Sequence, residues 1–593
     1  MHSRPNKENC NRSILDRTAN YYPLAIQVNR ITLVIYDGRS IEHDASIMAD
    51  VCIVGGGPGG LTLAMELEAS NLKTVLLESG GTTPDFETQS LYRADNVGIN
   101  YVALEKARSR FLGGSSNCWG GWCKPMDALD FEARHWIPES GWPFGFAEIE
   151  RYYSRAHKYL QLYGFDYTVE GWAAELKQKD LRPFAWKNTT FRNQLVQFSP
   201  PVRYGLLYYD RLVASKTATV ITWANATEIE VDPTSCAVTG VQVKTLTNNS
   251  FKIKARYVVL AAGGIENARL LLASNRVQEN GLGNTYDVVG RYFMDHPRVR
   301  TSTLTLNDVK HTRQLYDVTI AQTTHHEVTI AQTTHPSGVN PNKIAAYVAP
   351  TEQSQREFGL PNSRTYVRAR YAFDSSEFFK ALQARRLHQR EVKRYAQKPN
   401  ENDGLSRIAL LMKLLKSPLG AVGALDVIMN PQWVSRRFDL ETVIEPIPNP
   451  DSRVYLSPEK DQLGMHRACV DWRLTEQDYT NISKTAQLLR EVFVKDNVGQ
   501  LVDPDQPIWD GNLSGCHHHM GTTRIHNDRK RGVVDANLKV HDIPNLYCVG
   551  SSVFPTVGSD CPTLPLVALA IRLGDWLKAQ DAVSCRLADS EIS

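Results

Sequence analysis

The chain has 593 residues, 42% of them hydrophobic and 22% charged, with 67 Lys and Arg against 64 Asp and Glu. That is too apolar for disorder, and on length alone it predicts about three or four domains. A formal charge of +3 argues against nucleic-acid binding as the main task; ten cysteines without a Cys-x-x-Cys pair exclude a disulfide scaffold and point to a reducing, cytoplasmic setting.

Residues 1–47 read as a polar extension with neither the apolar core of a Sec signal nor a twin-arginine pair. Asp50–Val54 is a short β-branched run that predicts a strand. Gly55-Gly-Gly-Pro-Gly-Gly60 follows at once, then Leu61, Ala64, Met65 and Leu67 at helical spacing, then a second strand at Thr74–Leu77 ending in Glu78. This is G-x-G-x-x-G on Gly55, Gly57 and Gly60, with an acid about 20 residues further on. Gly55 permits the tight turn, Gly57 lets backbone approach a pyrophosphate, and Gly60 lets helix pack on strand. The helix N-terminus then offers N–H groups to the phosphates. Glu78 is placed to accept from the adenosine ribose hydroxyls, which disfavours a 2′-phosphate.

Arg110 to Gly121 is a second Gly/Ser-rich loop, dense in backbone donors and containing Gly113, Gly114, Ser115, Asn117 and Cys118. Trp119, Trp122 and Trp142 offer stacking surface for a sugar ring, although core packing is the plainer expectation for at least two of them. Tyr257 to Arg269 predicts a further strand–turn–helix unit around Gly263. A ten-residue tandem duplication, 317–326 and 327–336, reads as a surface insertion whose histidines are copies rather than ligands. Between Lys380 and Lys398 seven basic residues stand against Glu391 alone. A solvated helix face is the first reading and a docking patch for an acidic partner or membrane surface the second, with nucleic acid a distant third. The amphipathic stretch 405–415 follows, and the apolar region 405–429 is too interrupted by charge to span a bilayer. Cys516-His-His-His-Met-Gly-Thr-Thr-Arg524 is the densest histidine cluster. Alternation along an extended segment would send His517 and His519 away from His518, which argues against a metal site. Asn545 to Pro555 predicts a strand running into the turn at Gly550 and Ser551, and a helix begins near Thr563 and Leu564.

A nucleotide site assembled from both ends of the chain suits a long cofactor. Taken together, these motifs resemble the glucose–methanol–choline (GMC) oxidoreductases over about 49–577, least between 304 and 440. The similarity is nearest the branch of pyranose oxidases and FAD-dependent glucoside or gluconate dehydrogenases, through Asp130–Trp136, Ser140–Pro143, Val289–Pro297 and Pro448–Val454. The resemblance implies FAD and an α/β fold: a doubly wound, Rossmann-like FAD-binding domain (48–128, 210–300 and 505–585) with an inserted α+β substrate domain on an antiparallel sheet (129–209 and 301–504). It also implies that His518, three residues before Gly521-Thr522, is the general base, removing a hydroxyl proton while hydride passes to flavin N5. His517 and His519 become supporting residues.

Two positions depart from the family. Where a second His or Asn usually binds the substrate oxygen stands Cys561, preceded by Asp560; a thiol is a weaker donor. Where some members tether flavin through histidine stands Cys118. Non-covalent FAD is the expectation, a cysteinyl link the alternative. The function expected is oxidation of a CH–OH group of a sugar, glycoside or other alcohol. A non-redox lyase with spectator FAD, and a dehydrogenase subunit passing electrons to a protein partner, are the alternatives.

Overall fold

The computed structural model describes residues 35–200, 203–317, 332–333, 342–370, 437–502, 513–559 and 561–592, with isolated helical positions between 380 and 412. Most of the duplication, most of the basic segment 380–398, the stretch 405–415 and Asp560 lie outside the described residues.

Val51-Cys-Ile-Val54 is the buried end of the strand Ser46–Val54, and all four side chains are shielded. An unbroken apolar run of this kind suits a parallel strand covered on both faces. It pairs parallel with Thr74–Leu77 on one side and Ser250–Leu260 on the other. Ala218–Thr222 and then Ile35–Asp37 extend the sheet beyond Thr74–Leu77. Ser250–Leu260 divides its pairing. Its first residues meet the antiparallel pair Val238–Lys244 and Asn225–Val231, and its last three meet Leu546–Cys548 in parallel. The strand Ile35–Asp37 thus falls within the stretch read as an N-terminal extension.

A second sheet is antiparallel throughout, in the order Gly499–Val502, Arg298–Leu306, Arg437–Ile444, Ser363–Ala369, Asn342–Pro350, Phe191–Phe198 and Trp122–Cys123. One face packs Leu304, Ile344, Phe438 and Leu440 against Leu489, Val492 and Phe493 of helix Glu476–Lys495, which starts at a Thr475/Asp478 capping box. The other face carries Val196, Phe198, Tyr347, Tyr366 and Val443. A small third sheet joins Arg453–Lys460 and His466–Asp471 to Asp95–Asn96. The result is the expected mixed architecture, a Rossmann-like sheet combined with an antiparallel one. Among the described residues no helix is long and apolar enough to cross a membrane.

Candidate active site

Between the two sheets runs a cavity of about 620 Å³, lined at one end by the glycine turn after Val54 and at the other by Cys516 to His519. That volume is ample for a large cofactor. Gly55 sits at φ +116°, which only glycine adopts without strain, and a methyl at Gly60 would overlap the Gly55 carbonyl oxygen. A side chain at Gly57 would meet nothing nearer than Gly114 Cα at 3.9 Å; at Gly263 and Gly550 it would enter open space. The helix Pro58–Leu67 begins at Gly57 with no side-chain cap, so its first N–H groups face the cavity wall. Glu78 is 5% exposed, and burial raises its pKa against the N–H groups of Gly80 (3.0 Å) and Gly56 (2.9 Å) and the Arg110 charge.

Arg110 and Arg108 line the same cavity and both pair with Glu266, at 3.3 and 2.9 Å. Burial pushes the Glu266 carboxyl up, but Arg269, Arg108 and Arg110 together hold it at about 2. Two buried nitrogens, Arg110 Nε and His519 Nε2, have no hydrogen-bond partner among the described residues. Open space beside glycines, an uncapped helix start, a buried acid and the orphaned Arg110 Nε at this end fit a long, phosphate-bearing cofactor such as FAD. Ser115, Cys118, Ser551 and Thr563 also line this wall. Three residues expected at the cofactor stand off the cavity wall. Gly113 turns the loop at φ +100°, the Asn117 amide donates to the Leu112 carbonyl (3.1 Å), and Leu564 is wholly buried in the core. None of the three lines the cavity. Trp142 is core, against Phe131 and Phe554; Trp119 and Trp122 line the cavity while also packing against the core, Trp122 on Phe198 and Tyr366.

At the far end the histidine cluster is not a regular strand. His517 takes a left-handed backbone (φ +63°), and Asp295 grips the turn, accepting from the N–H groups of Cys516, His517 and His518 (3.1, 2.8 and 3.0 Å) and from the Tyr101 hydroxyl. His517 and His519 both lie against Tyr101, while His518 turns the other way, toward His296. His296 is completely buried, and burial, with the Arg364 charge, lowers its pKa to about 3. It is therefore neutral, with one donor and one acceptor nitrogen. Its Nε2 lies 2.9 Å from the Gly558 carbonyl, which can only accept, so Nε2 carries the hydrogen. Its Nδ1, 2.9 Å from His518 Nδ1, must then accept. His518 is left protonated on Nδ1 with the lone pair on Nε2, and burial, His296 and Arg364 hold its pKa well below the ordinary imidazole value.

Asp295, His296 and His518 bring potential metal-ligating atoms within 4.8 Å of one another. The two Nδ1 atoms already bond to each other, His296 Nε2 to the Gly558 carbonyl, and the Asp295 carboxylate to backbone N–H groups. Cys561 lines the cavity and its sulfur accepts from Arg364 at 3.2 Å; Cys118 is held to the Ser115 carbonyl at 3.4 Å. Sequence reasoning missed His296 and Asp295 as site residues, although they stand in the Val289–Pro297 stretch used for the resemblance. It also missed Arg298, Arg364 and Tyr366.

A Rossmann-type nucleotide wall thus faces a histidine pair, His296 buried and His518 half-buried, beneath an antiparallel sheet. Residues 448–570 match the GMC oxidoreductase family model, and residues 49–300 that of the pyridine nucleotide-disulphide oxidoreductases. The C-terminal part of the chain thus matches the GMC oxidoreductases. The chain is similar to paromamine 6'-oxidase of Streptomyces fradiae, 29% identical over 22% of this chain and 24% of that enzyme. It is also similar to the fructose dehydrogenase large subunit of Gluconobacter japonicus, 23% identical over 57% of this chain and 50% of that one. The chain thus spans about a quarter and a half of these curated relatives. Its fold is shared with pyridoxine 4-oxidase of Mesorbium loti, at a TM-score of 0.51 and 16% identity over 89% of this chain and 98% of that one.

Proposed function

We propose that the chain oxidises a CH–OH group of a sugar, glycoside or other alcohol, with FAD held non-covalently between Gly55–Gly57, Glu78, Arg110, Gly114–Ser115, Gly263 and Gly550–Ser551. The relatives named as oxidases and dehydrogenases of such substrates support this reading. Bound FAD would supply the acceptor for the hydride leaving the substrate carbon. His518, which lines the cavity and is left with its lone pair on Nε2, takes the hydroxyl proton; its 2.9 Å contact with His296 is the observation that supports this base. His296 fixes the tautomer and, still hydrogen-bonded through Nδ1, stays in place as His518 becomes imidazolium. Cys561 contributes a wall and a weak donor beside Arg364.

The chemistry is tested by anaerobic bleaching of the flavin over a panel of sugars, glycosides, polyols and primary alcohols. A protein that cannot be reconstituted with FAD, or that no alcohol bleaches, defeats the proposal. Yellow colour that stays with the denatured chain would overturn the non-covalent assignment and point to Cys118. A second reading, transfer of electrons to a protein partner, is favoured by the likeness to a relative named as a large subunit. Turnover with a dye but not with oxygen supports it; hydrogen peroxide matching product removes it. The sparse cysteines support a cytoplasmic location.

A further inference from the structure

The face of the antiparallel sheet that carries Val196, Phe198, Tyr366 and Val443 also carries a row of two arginines at the cavity wall. Arg298 and Arg364 lie on strands Arg298–Leu306 and Ser363–Ala369, and both pair with Val443 on the strand between them. Residues directly opposite in antiparallel pairs project to the same face, so register alone puts two guanidinium groups side by side on the wall of the cavity. Their charges reach the catalytic end: Arg364 lowers the pKa of His518 and His296, and Arg298 that of His517.

The cations at the nucleotide end are neutralised, Arg108 and Arg110 by Glu266. Arg298 is not. Among the described residues it makes no ion pair: its Nε donates to Ser514 Oγ at 3.2 Å, the Tyr366 hydroxyl lies beside it, and Glu441 on the intervening strand is engaged by Arg368 at 2.6 Å. Arg364 donates to Cys561 and stands over the Trp122 ring at 5.6 Å. A half-buried guanidinium facing a cavity without a carboxylate is costly unless an anion joins it there. Its planar fork matches a carboxylate in two hydrogen bonds.

We propose that Arg298, with Arg364 beside it, binds a carboxylate of the substrate, so that the alcohol oxidised belongs to an anionic hydroxy compound of the sugar-acid or hydroxy-acid class. This rests on the reading of the chain as an alcohol-oxidising flavoenzyme and adds the charge of its substrate. The Arg298 charge likewise disfavours an ammonium group at that place in the substrate.

The test uses the FAD-loaded enzyme and matched sets of compounds: gluconate with sorbitol and glucosamine, glucuronate with glucose, and lactate with 1,2-propanediol. Anaerobic flavin bleaching gives kcat/KM-type constants, and calorimetry on the non-turning-over oxidised enzyme at low temperature gives binding. The acids are expected to lead their neutral partners by about 10- to 100-fold, the range of charge-assisted hydrogen bonds. That ratio is expected to fall by a similar factor in Arg298→Gln and by less in Arg298→Lys, which keeps the charge without the fork. Neutral alcohols that match or outrun every acid would overturn the anion site while leaving the alcohol-oxidising reading intact. Bleaching by no member of either class would overturn both. If Arg298→Gln fails to load FAD, the wild-type acid-to-neutral ratio decides.

Discussion

His518 is useful because of what His296 does to it. The pair has one hydrogen between two Nδ1 atoms, and the Gly558 carbonyl decides which ring holds it. His518→Ala is expected to slow flavin reduction by an alcohol about 10²- to 10⁴-fold with flavin content retained, measured by stopped-flow bleaching. His296→Gln can still accept from His518 and donate to Gly558, whereas His296→Leu can do neither. The glutamine variant is expected to keep most of the rate and the leucine variant to lose it, with its acid limb displaced. The pH dependence follows from sign. A base must be neutral to act, and burial has moved the His518 pKa down. The kcat/KM profile should therefore stay level through the ordinary imidazole value, about 6.5, and fall only at more acid pH. An acid limb centred near or above 6.5 would contradict this placement. Asp295 and His296 were visible in the sequence, but only as part of a resemblance; that two histidines 222 residues apart share a hydrogen could not be read from local pattern.

Elements explain why that residue pair holds still. The loop bearing Gly558 is anchored when its N–H donates to Glu445 (3.2 Å), and Glu445 makes a fully buried two-point pair with Arg134 at 2.6 and 2.8 Å. Removing one partner of such a pair weakens the compensation of a buried charge, here with Asp130 left 3.9 Å from Arg134. Glu445→Gln is expected to cost about 1–3 kcal/mol in denaturant unfolding. It should also impair the alcohol reaction by releasing Gly558. The glycine turn was the most legible part of the site, because strand, turn and helix are contiguous and each glycine has a local reason. Most of the loop 110–121 lines the cavity, while Gly113 and Asn117 serve the turn itself and Leu564 packs in the core. The Arg298–Arg364 row was illegible for the opposite reason: its members are 66 positions apart in sequence and meet only through the register of a third strand.

At the scale of the molecule, the cavity lies between two sheets that touch the cofactor site from opposite sides. A ligand filling it stabilises whatever closes around it, by about 2.7 kcal/mol at a hundredfold excess over its dissociation constant. Stripping FAD is therefore expected to lower the unfolding midpoint and make it depend on added FAD concentration, as followed by calorimetry. A midpoint indifferent to FAD would show that the cavity is not where it binds. The fold class was legible because it follows from alternating strand and helix patterns along the first 80 residues and from the termini. The order of the antiparallel strands was not, since strands far apart in sequence, such as Trp122–Cys123, Phe191–Phe198 and Asn342–Pro350, are neighbours in it.

The divided pairing of Ser250–Leu260 has a temporal meaning. Its outer half finds Val238–Lys244 while that hairpin leaves the ribosome, but its inner half, next to the glycine turn, waits for Leu546–Cys548. Almost three hundred residues must be synthesised before that gap closes. For all that time the nascent protein carries an open strand edge and an unfinished nucleotide wall, so cofactor loading belongs to the finished chain, and chaperone protection belongs to the interval before it.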